Sequence, residues 1–284
     1  MIAITGATGQ LGRLVIDTLL QKLPAAEIIA IARNPAKAQA IAARGVRVRQ
    51  ADYTQPATLD AALKGASKLL LISSSEIGQR IPQHRAVIEA AQRAGVKLVA
   101  YTSLLHADIS PLRLAAEHKQ TEALLRASGL PFVVLRNGWY TENHTAGMSA
   151  VLAHGAVLGS AGAGRFASAP RSDYAAAAAA VLTSDNQAGR VYELAGDTAY
   201  TLGELAAEIA RQSGKAVVYK GMPEANYKAA LISIGLPEDM SAMLADADIG
   251  ASQGALFDDS RQLSQLIGRP TTPLATTVTA TLNA

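Results

Sequence analysis

The chain has 284 residues, 49% hydrophobic and 17% charged, enough to bury a full core in one elaborated domain or in a large domain with a smaller lobe. Its net charge is only +3, with Lys and Arg scattered, so no basic stripe for nucleic acid is present; the lack of cysteine excludes disulfides, thiolate metal sites and a cysteine nucleophile. The longest unbroken apolar run, 174–182, is far too short to span a bilayer, and a glycine turn by residue 6 leaves no room for a signal peptide, so the expected location is the cytoplasm.

In chain order, Met1 to Ile4 reads as a buried strand, Thr5-Gly6-Ala7-Thr8-Gly9-Gln10-Leu11-Gly12 as a glycine-rich turn, and 11–23 as a helix. This is the pattern of a phosphate cradle. Gly6 permits a tight turn, Gly9 lets a pyrophosphate approach the backbone, and Gly12 lets the helix sit close to the sheet. The helix N-terminus then presents unpaired N–H groups to an anion. A second strand, 28–32, ends in Arg33, about 20 residues beyond the last glycine, where an NAD-specific fold carries an acidic ribose ligand. Arg33 favours NADP, because its fork can hold the adenosine 2′-phosphate bidentately.

Further apolar strands are predicted at 46–49, 69–72, 98–101 and 132–135, each too uninterrupted to have one face in water. Helical stretches at 36–43, 57–63, 79–94 and 112–128 lie between them, several closed by glycine. The alternation predicts a Rossmann-type, doubly wound parallel sheet of the α/β class, with a smaller, mainly helical C-terminal lobe. After Arg136 the rhythm breaks. A helix is predicted through 148–153, a flexible glycine loop within 155–164, an alanine-rich helix over 174–182 capped by Ser172 or Asp173, a strand at 191–194, and helices with a short strand at 216–219 in the remainder. The dinucleotide-binding domain is expected to span 1–140, with 171–195 returning to its sheet, and the substrate-side lobe 141–170 and 196–284.

Ligands of such sheets bind at the carboxyl ends of the strands, so the residues after each strand matter most. Asp52-Tyr53 suits either an adenine contact or a turn cap. Ser73, Ser74 and Ser75 can line the ribose and nicotinamide side without filling it, and Thr102-Ser103 and Asn137-Gly138-Trp139-Tyr140 follow the next two strands. Asn137 and Tyr140 are the candidates to face the ligand, with Trp139 turned to packing. The five histidines show no metal-binding spacing. The glycine run 159–164 reads equally as a mobile flap or a surface loop.

The stretches Ile4 to Gly12, Ala32-Arg33-Asn34-Pro35, Arg126 to Pro131 and Arg136-Asn137-Gly138 resemble the NmrA-like branch of the atypical short-chain dehydrogenase/reductases. With Leu70 to Glu76, Tyr101 to Asp108 and Leu256 to Ser260, the whole chain is similar to the bacterial quinone reductases of that branch. The resemblance implies NADPH bound by Gly6, Ala7, Thr8, Gly9, Gln10, Leu11, Arg33, Ser73, Ser74 and Ser75, by Asn137, Gly138, Trp139, Tyr140, Thr141 and Glu142, and by Ser168. It implies quinone reduction without flavin or metal. The Tyr-x-x-x-Lys pair of the wider family falls here at Leu114 and His118, so the usual general acid is missing. Quinone reduction tolerates that loss. The product anion is phenolate-like, with a pKa near the ~10 of a tyrosine phenol, so water can supply the proton, whereas an alkoxide needs a donor as it forms. Catalysis then becomes a matter of holding the acceptor ring against the nicotinamide. The same resemblance leaves a second reading, a non-catalytic NADP-binding redox sensor acting on another protein. A third, a nucleotide-sugar epimerase or dehydrogenase, is weakened by Leu114. Monomer and homodimer are both compatible with the sequence.

Overall fold

A computed structural model describes residues 1–76 and 78–284. Strand β1 (Ile2–Ile4) is wholly buried and ends in the turn that leads to helix α1 (Gln10–Leu20). Then β2 (Ile28–Ala32), α2 (Gln39–Ala42), β3 (Arg47–Gln50), α3 (Pro56–Leu63), β4 (Lys68–Leu71), α4 (Arg80–Arg93), β5 (Leu98–Leu104), α5 (Ala115–Ala127) and β6 (Phe132–Asn137) follow in alternation. They are succeeded by α6 (Glu142–Thr145), α7 (Met148–His154), β7 (Ala156–Gly159), α8 (Arg171–Thr183) and β8 (Val191–Leu194). The chain closes with α9 (Leu202–Ser213), β9 (Val218–Gly221), α10 (Glu224–Ser233), α11 (Glu238–Ser252), α12 (Gln262–Ile267) and α13 (Leu274–Leu282).

Seven strands form one sheet in the order β3-β2-β1-β4-β5-β6-β8, with β1 paired in parallel to both β2 and β4. The order reverses at β1, which is the switch point of a Rossmann-type, doubly wound fold. The central strands have no solvent-facing side, because helices cover both faces; every residue of β1, β2 and β5 is buried. Strand β3 departs from the expectation of a buried strand at 46–49: it lies one residue later, at the sheet edge, with Arg47 and Gln50 exposed. Charged side chains on an edge also discourage a foreign strand from pairing there. The helix expected at 36–43 is a short 3-10 turn, Pro35–Ala38, followed by α2; Asn34 Oδ1 caps the turn by accepting from Ala36 N–H at 3.0 Å. The alanine-rich helix begins at Arg171, so Asp173 lies in its first turn rather than at its cap.

The chain divides into two compact units, Met1–Leu104 with Glu117–Arg136 and Arg171–Tyr192, and Leu105–Ala116 with Asn137–Pro170 and Glu193–Ala284. In the first unit α1 lies along α8, whose Ala175, Ala177, Ala178 and Ala179 are buried and small enough for close approach. A continuous core of Ile29, Ile31, Leu59, Leu69, Val87, Val99 and Tyr101 joins β-strands to α3 and α4. In the second unit β7 pairs in parallel with β9, and α9 starts in a capping box between Thr201 and Glu204. The strand β7 occupies ground read from the sequence as loop. Its last residue, Gly159, has no room for a side chain, since a Cβ would stand 2.4 Å from Leu202 Cδ1. At Gly164 a Cβ would meet the Ala251 carbonyl carbon at 2.6 Å. Gly159 and Gly164, at the two ends of the 159–164 segment, are thus positions of close packing.

Gly12 carries the tightest such constraint in the first unit: a Cβ there would be 2.3 Å from the Gly6 carbonyl oxygen and 2.9 Å from Ala7 Cα. Both neighbours are backbone and cannot swing aside. Gly12→Ala is expected to destabilise the chain by about 1–3 kcal/mol or more through overpacking. Thermal unfolding of the variant should show it, with Gly9→Ala, whose Cβ would stand 3.2 Å from the same oxygen, losing much less.

Candidate cofactor site

The turn after β1 is shaped by its glycines and tied down by Thr5. Gly6 adopts φ +59°, a conformation that L side chains rarely take. Gly9 N–H donates to the Gly6 carbonyl at 2.9 Å. Thr5 Oγ1 donates to Leu70 O at 3.2 Å and accepts from Ile72 N–H at 3.0 Å, joining the ends of β1 and β4. Helix α1 begins at Gln10 with Gly9 as its N-cap and no side-chain acceptor on its first N–H groups. Those donors, with the positive end of the helix dipole, suit a phosphate. The expected cradle of Gly6, Ala7, Thr8, Gly9, Gln10 and Leu11 is thus one continuous turn.

Arg33 leaves the end of β2 with 70% of its side chain exposed, and its Nη1 lies 2.8 Å from Glu76 Oε1. Glu76 Oε2 accepts from Gln83 Nε2 at 2.6 Å. The Gln83 hydrogen bond, followed by that of Arg33, holds the Glu76 carboxyl below the usual carboxylate range. Asp52 behaves as a turn cap: its Oδ1 accepts from Thr54 N–H at 2.9 Å and from Thr54 Oγ1 at 2.7 Å.

The loop after β4 is held by side chains where a strand would use ladder bonds. Ser73 N–H donates to Thr102 Oγ1 at 2.9 Å, and Ser74 N–H to His84 Nε2 at 3.0 Å. Arg80 Nε donates to the Ser74 carbonyl, and Glu76 N–H to Ser74 Oγ at 3.2 Å. Because His84 Nε2 accepts, its proton sits on Nδ1, which lies 2.9 Å from Thr121 Oγ1. Burial, then the charge of Arg80, pushes His84 down to about 3 and keeps this ring neutral. In this loop Ser73 is half-buried and Ser75 exposed.

His118, at the position of the family lysine, is 4% exposed and lies 2.7 Å through Nδ1 from the Tyr101 hydroxyl. Burial first, then Arg80 and His84, pushes His118 to about 3. Tyr101 is 0% exposed, and burial raises its phenol. Neither group reaches solvent as a proton donor. Leu114 precedes α5 altogether. Where β6 ends, Arg136 is locked by Glu122 through two bonds of 2.9 Å, and Ser103 Oγ adds a third at 2.7 Å. This sets the register of the chain as it enters Asn137.

In the second unit, Asn137 Nδ2 donates to the Tyr140 hydroxyl at 3.2 Å, while Asn137 Oδ1 is buried without a hydrogen-bond partner among the described residues. Gly138 N–H donates to Leu194 O at 2.7 Å, and Thr141 N–H to Ala169 O at 3.0 Å. Trp139 is 7% exposed and turned to packing, its Nε1 donating to His144 Nε2 at 3.2 Å. His144 Nδ1 then faces the Tyr200 hydroxyl at 2.8 Å, which also accepts from Ser168 Oγ at 2.8 Å. Ser168 Oγ lies 2.9 Å from Thr141 Oγ1, so two residues expected at the site, 27 positions apart, share one cluster. Glu142 opens α6. Burial pushes His144 to about 4, leaving the network neutral.

Glu76, Gln83, His84 and Tyr200 are not among the residues expected at the site from the sequence. Glu76 had a signal, an acid directly after the serine loop and opposite in charge to Arg33. His84 and Tyr200 had none, since their partners lie 10 and 32 or more residues away.

An NAD(P)H-binding family model matches residues 6–185. Quinone oxidoreductase 2 of Escherichia coli is 61% identical over 283 residues, covering 100% of this chain and 99% of that protein. A crystal structure of an NADPH-dependent quinone oxidoreductase from E. coli, complexed with NADPH, superposes with a TM-score of 0.97 over 100% of both chains. Triphenylmethane reductase of Citrobacter sp., complexed with NADP(H), is 41% identical with a TM-score of 0.95, covering 99% of this chain and 100% of that one. NmrA, a negative transcriptional regulator in complex with NADP, shares the fold at 16% identity, with a TM-score of 0.80 over 98% of this chain and 93% of its own.

The buried histidines carry a pH signature. His84, His118 and His144 are lowered to about 3, 3 and 4 in the fold, so below an unfolded value of about 6.5 the unfolded chain binds protons that the folded chain refuses. Their contribution is complete above that value and is lost on acidification, on the order of 1 kcal/mol per pH unit for each. Asp248, raised to about 6 by burial, opposes this with one proton. Urea midpoints should therefore fall between pH 6.5 and 5. A flat profile would mean that the rings keep their solution basicity.

Proposed function

This chain belongs to the NAD(P)H-binding family, and we propose that it is an NADPH-dependent quinone reductase that forms hydroquinone by direct hydride transfer, without flavin or metal. The observation that carries this reading is the 61% identity, over the full length, to Quinone oxidoreductase 2. The residues fit the cofactor. In the first unit an N-cap with no competing side chain, a turn that a Cβ on Gly12 would fill and an exposed Arg33 suit a dinucleotide's phosphates; in the second, Asn137 Oδ1, without a hydrogen-bond partner among the described residues, can accept from a carboxamide.

The backbone of Gly6 to Leu11 holds the pyrophosphate, Arg33 the 2′-phosphate, and Ser73, Ser74 and Ser75 the ribose side; Asn137 to Glu142 and Ser168 serve the nicotinamide side. Residues 1–140 with 171–195 act as the dinucleotide-binding domain, and 141–170 with 196–284 as the substrate-side lobe. The bound cofactor supplies the hydride. This chain's part is to orient the acceptor and leave protonation of the product oxyanion to water, because a phenolate-like anion with a pKa near ~10 needs no positioned acid. The burial of His118 against Tyr101 agrees with that division of labour. The likeness to the NmrA regulator supports the fold alone, so a non-catalytic sensor is the weaker reading. The enzyme works in the cytoplasm, where its reduced cofactor is regenerated.

Flavin-free protein should oxidise NADPH rapidly with a soluble benzoquinone or naphthoquinone, above the uncatalysed rate. Tight NADPH binding without turnover would move the assignment to the sensor. His118→Ala should keep quinone turnover within about tenfold, since a positioned acid contributes ~10²–10⁴. Its cost should appear instead as a lower melting temperature, and a larger loss of kcat in folded protein would restore acid–base catalysis.

A further inference from the structure

We propose that Glu76 limits the preference of this chain for NADPH over NADH by competing with the adenosine 2′-phosphate for Arg33. The inference rests on the assignment of Arg33 to that phosphate.

The two members of the pair are anchored very differently. Arg33 has 70% of its side chain exposed, and Glu76 is its one side-chain hydrogen-bond partner among the described residues, with the Asp52 carboxylate within electrostatic reach. Glu76 is held from below. Its Oε2 takes the Gln83 Nε2 hydrogen at 2.6 Å, and Gln83 is 6% exposed. Its own N–H donates to Ser74 Oγ at 3.2 Å, and the Ser74 backbone is fastened at both its N–H, by His84, and its carbonyl, by Arg80. The carboxylate thus stays in place while the guanidinium is the freer partner.

A 2′-phosphate carries about −1.5 to −2 charges near neutral pH. Seated on Arg33, it must take a donor now given to Glu76 or share the guanidinium beside a fixed negative charge. Both choices weaken binding. The 2′-hydroxyl of NADH carries no charge and can donate a hydrogen bond to a carboxylate, so it incurs neither penalty. Specificity is a difference of affinities, and a repulsive element against one ligand narrows it as surely as a lost contact. Solvent screening at this exposed pair limits the effect to about tenfold.

The test is the dissociation constant of NADPH and of NADH, read by fluorescence titration at low salt on the full chain, for the unaltered protein, Glu76→Gln and Arg33→Ala. Glu76→Gln retains an acceptor for Gln83 and removes the charge. It should tighten NADPH about tenfold and move NADH less than about twofold, while Arg33→Ala should weaken NADPH selectively. If Arg33→Ala is selective but Glu76→Gln leaves NADPH unchanged or weaker, the role of Glu76 is overturned and that of Arg33 stands. If Arg33→Ala weakens both cofactors equally, the phosphate assignment itself is overturned, and the competition with it.

Discussion

Where α1 meets the turn after β1, the Gly6 carbonyl oxygen lies where a Cβ on Gly12 would need to be, 2.3 Å away. That contact sets how closely the helix approaches the sheet and where its N-terminal N–H groups point. The same helix packs along α8, which buries four alanines within its Ala175–Ala180 run. Lys68, at the start of β4, donates to the carbonyls of Leu182 and Ser184 at 2.8 and 3.1 Å, satisfying acceptors that the end of α8 leaves open.

Loops at the carboxyl ends of a parallel sheet have left the ladder, and their backbone groups must find partners elsewhere. Here side chains supply them. Thr102, His84 and Arg80 hold the loop after β4 in this way, whereas in the second unit Gly138 and Thr141 N–H pair with the Leu194 and Ala169 carbonyls and the side chains of Trp139, His144, Tyr200, Ser168 and Thr141 bond to one another. The three histidines that do so or lie beside these groups are kept neutral by burial, so each can donate from one nitrogen and accept at the other. A polar scaffold of this kind orients without offering a strong acid. Reduction of a quinone needs no more than that, since its product anion is a weak base compared with an alkoxide.

Two arginine–glutamate pairs divide structural and adjustable roles by burial alone. Arg136 and Glu122 have side-chain exposures of 6% and 2% and meet through two parallel hydrogen bonds, in a buried cluster that Ser103 and Arg126 extend from the Glu122 side. Arg33 and Glu76 are 70% and 43% exposed, so solvent screens their attraction and the pair adds little to stability. The first pair fixes the end of β6. The second leaves the Arg33 guanidinium largely in solvent at the end of β2.

The sequence by itself determined the sheet, the glycine turn and the place of Arg33 after β2, because each is a local pattern. Glycines at 6, 9 and 12 between a strand and a helix, apolar runs of strand length and an Arg at the end of β2 state their physics within a few residues. It also placed Trp139 in packing, from the scarcity of large aromatics. Only the tertiary structure decided what holds those pieces. Glu76 meets Arg33 across 43 residues, Tyr200 meets His144 across 56, and Gly159 was given to a loop although it is a packing position under Leu202. Strand β3 moved to the edge for the same reason, since exposure on a sheet depends on strand order and not on the strand's own residues. Local chain geometry is encoded by neighbours in sequence, whereas hydrogen-bond partners and steric exclusion depend on which distant segments the fold brings within a few ångströms.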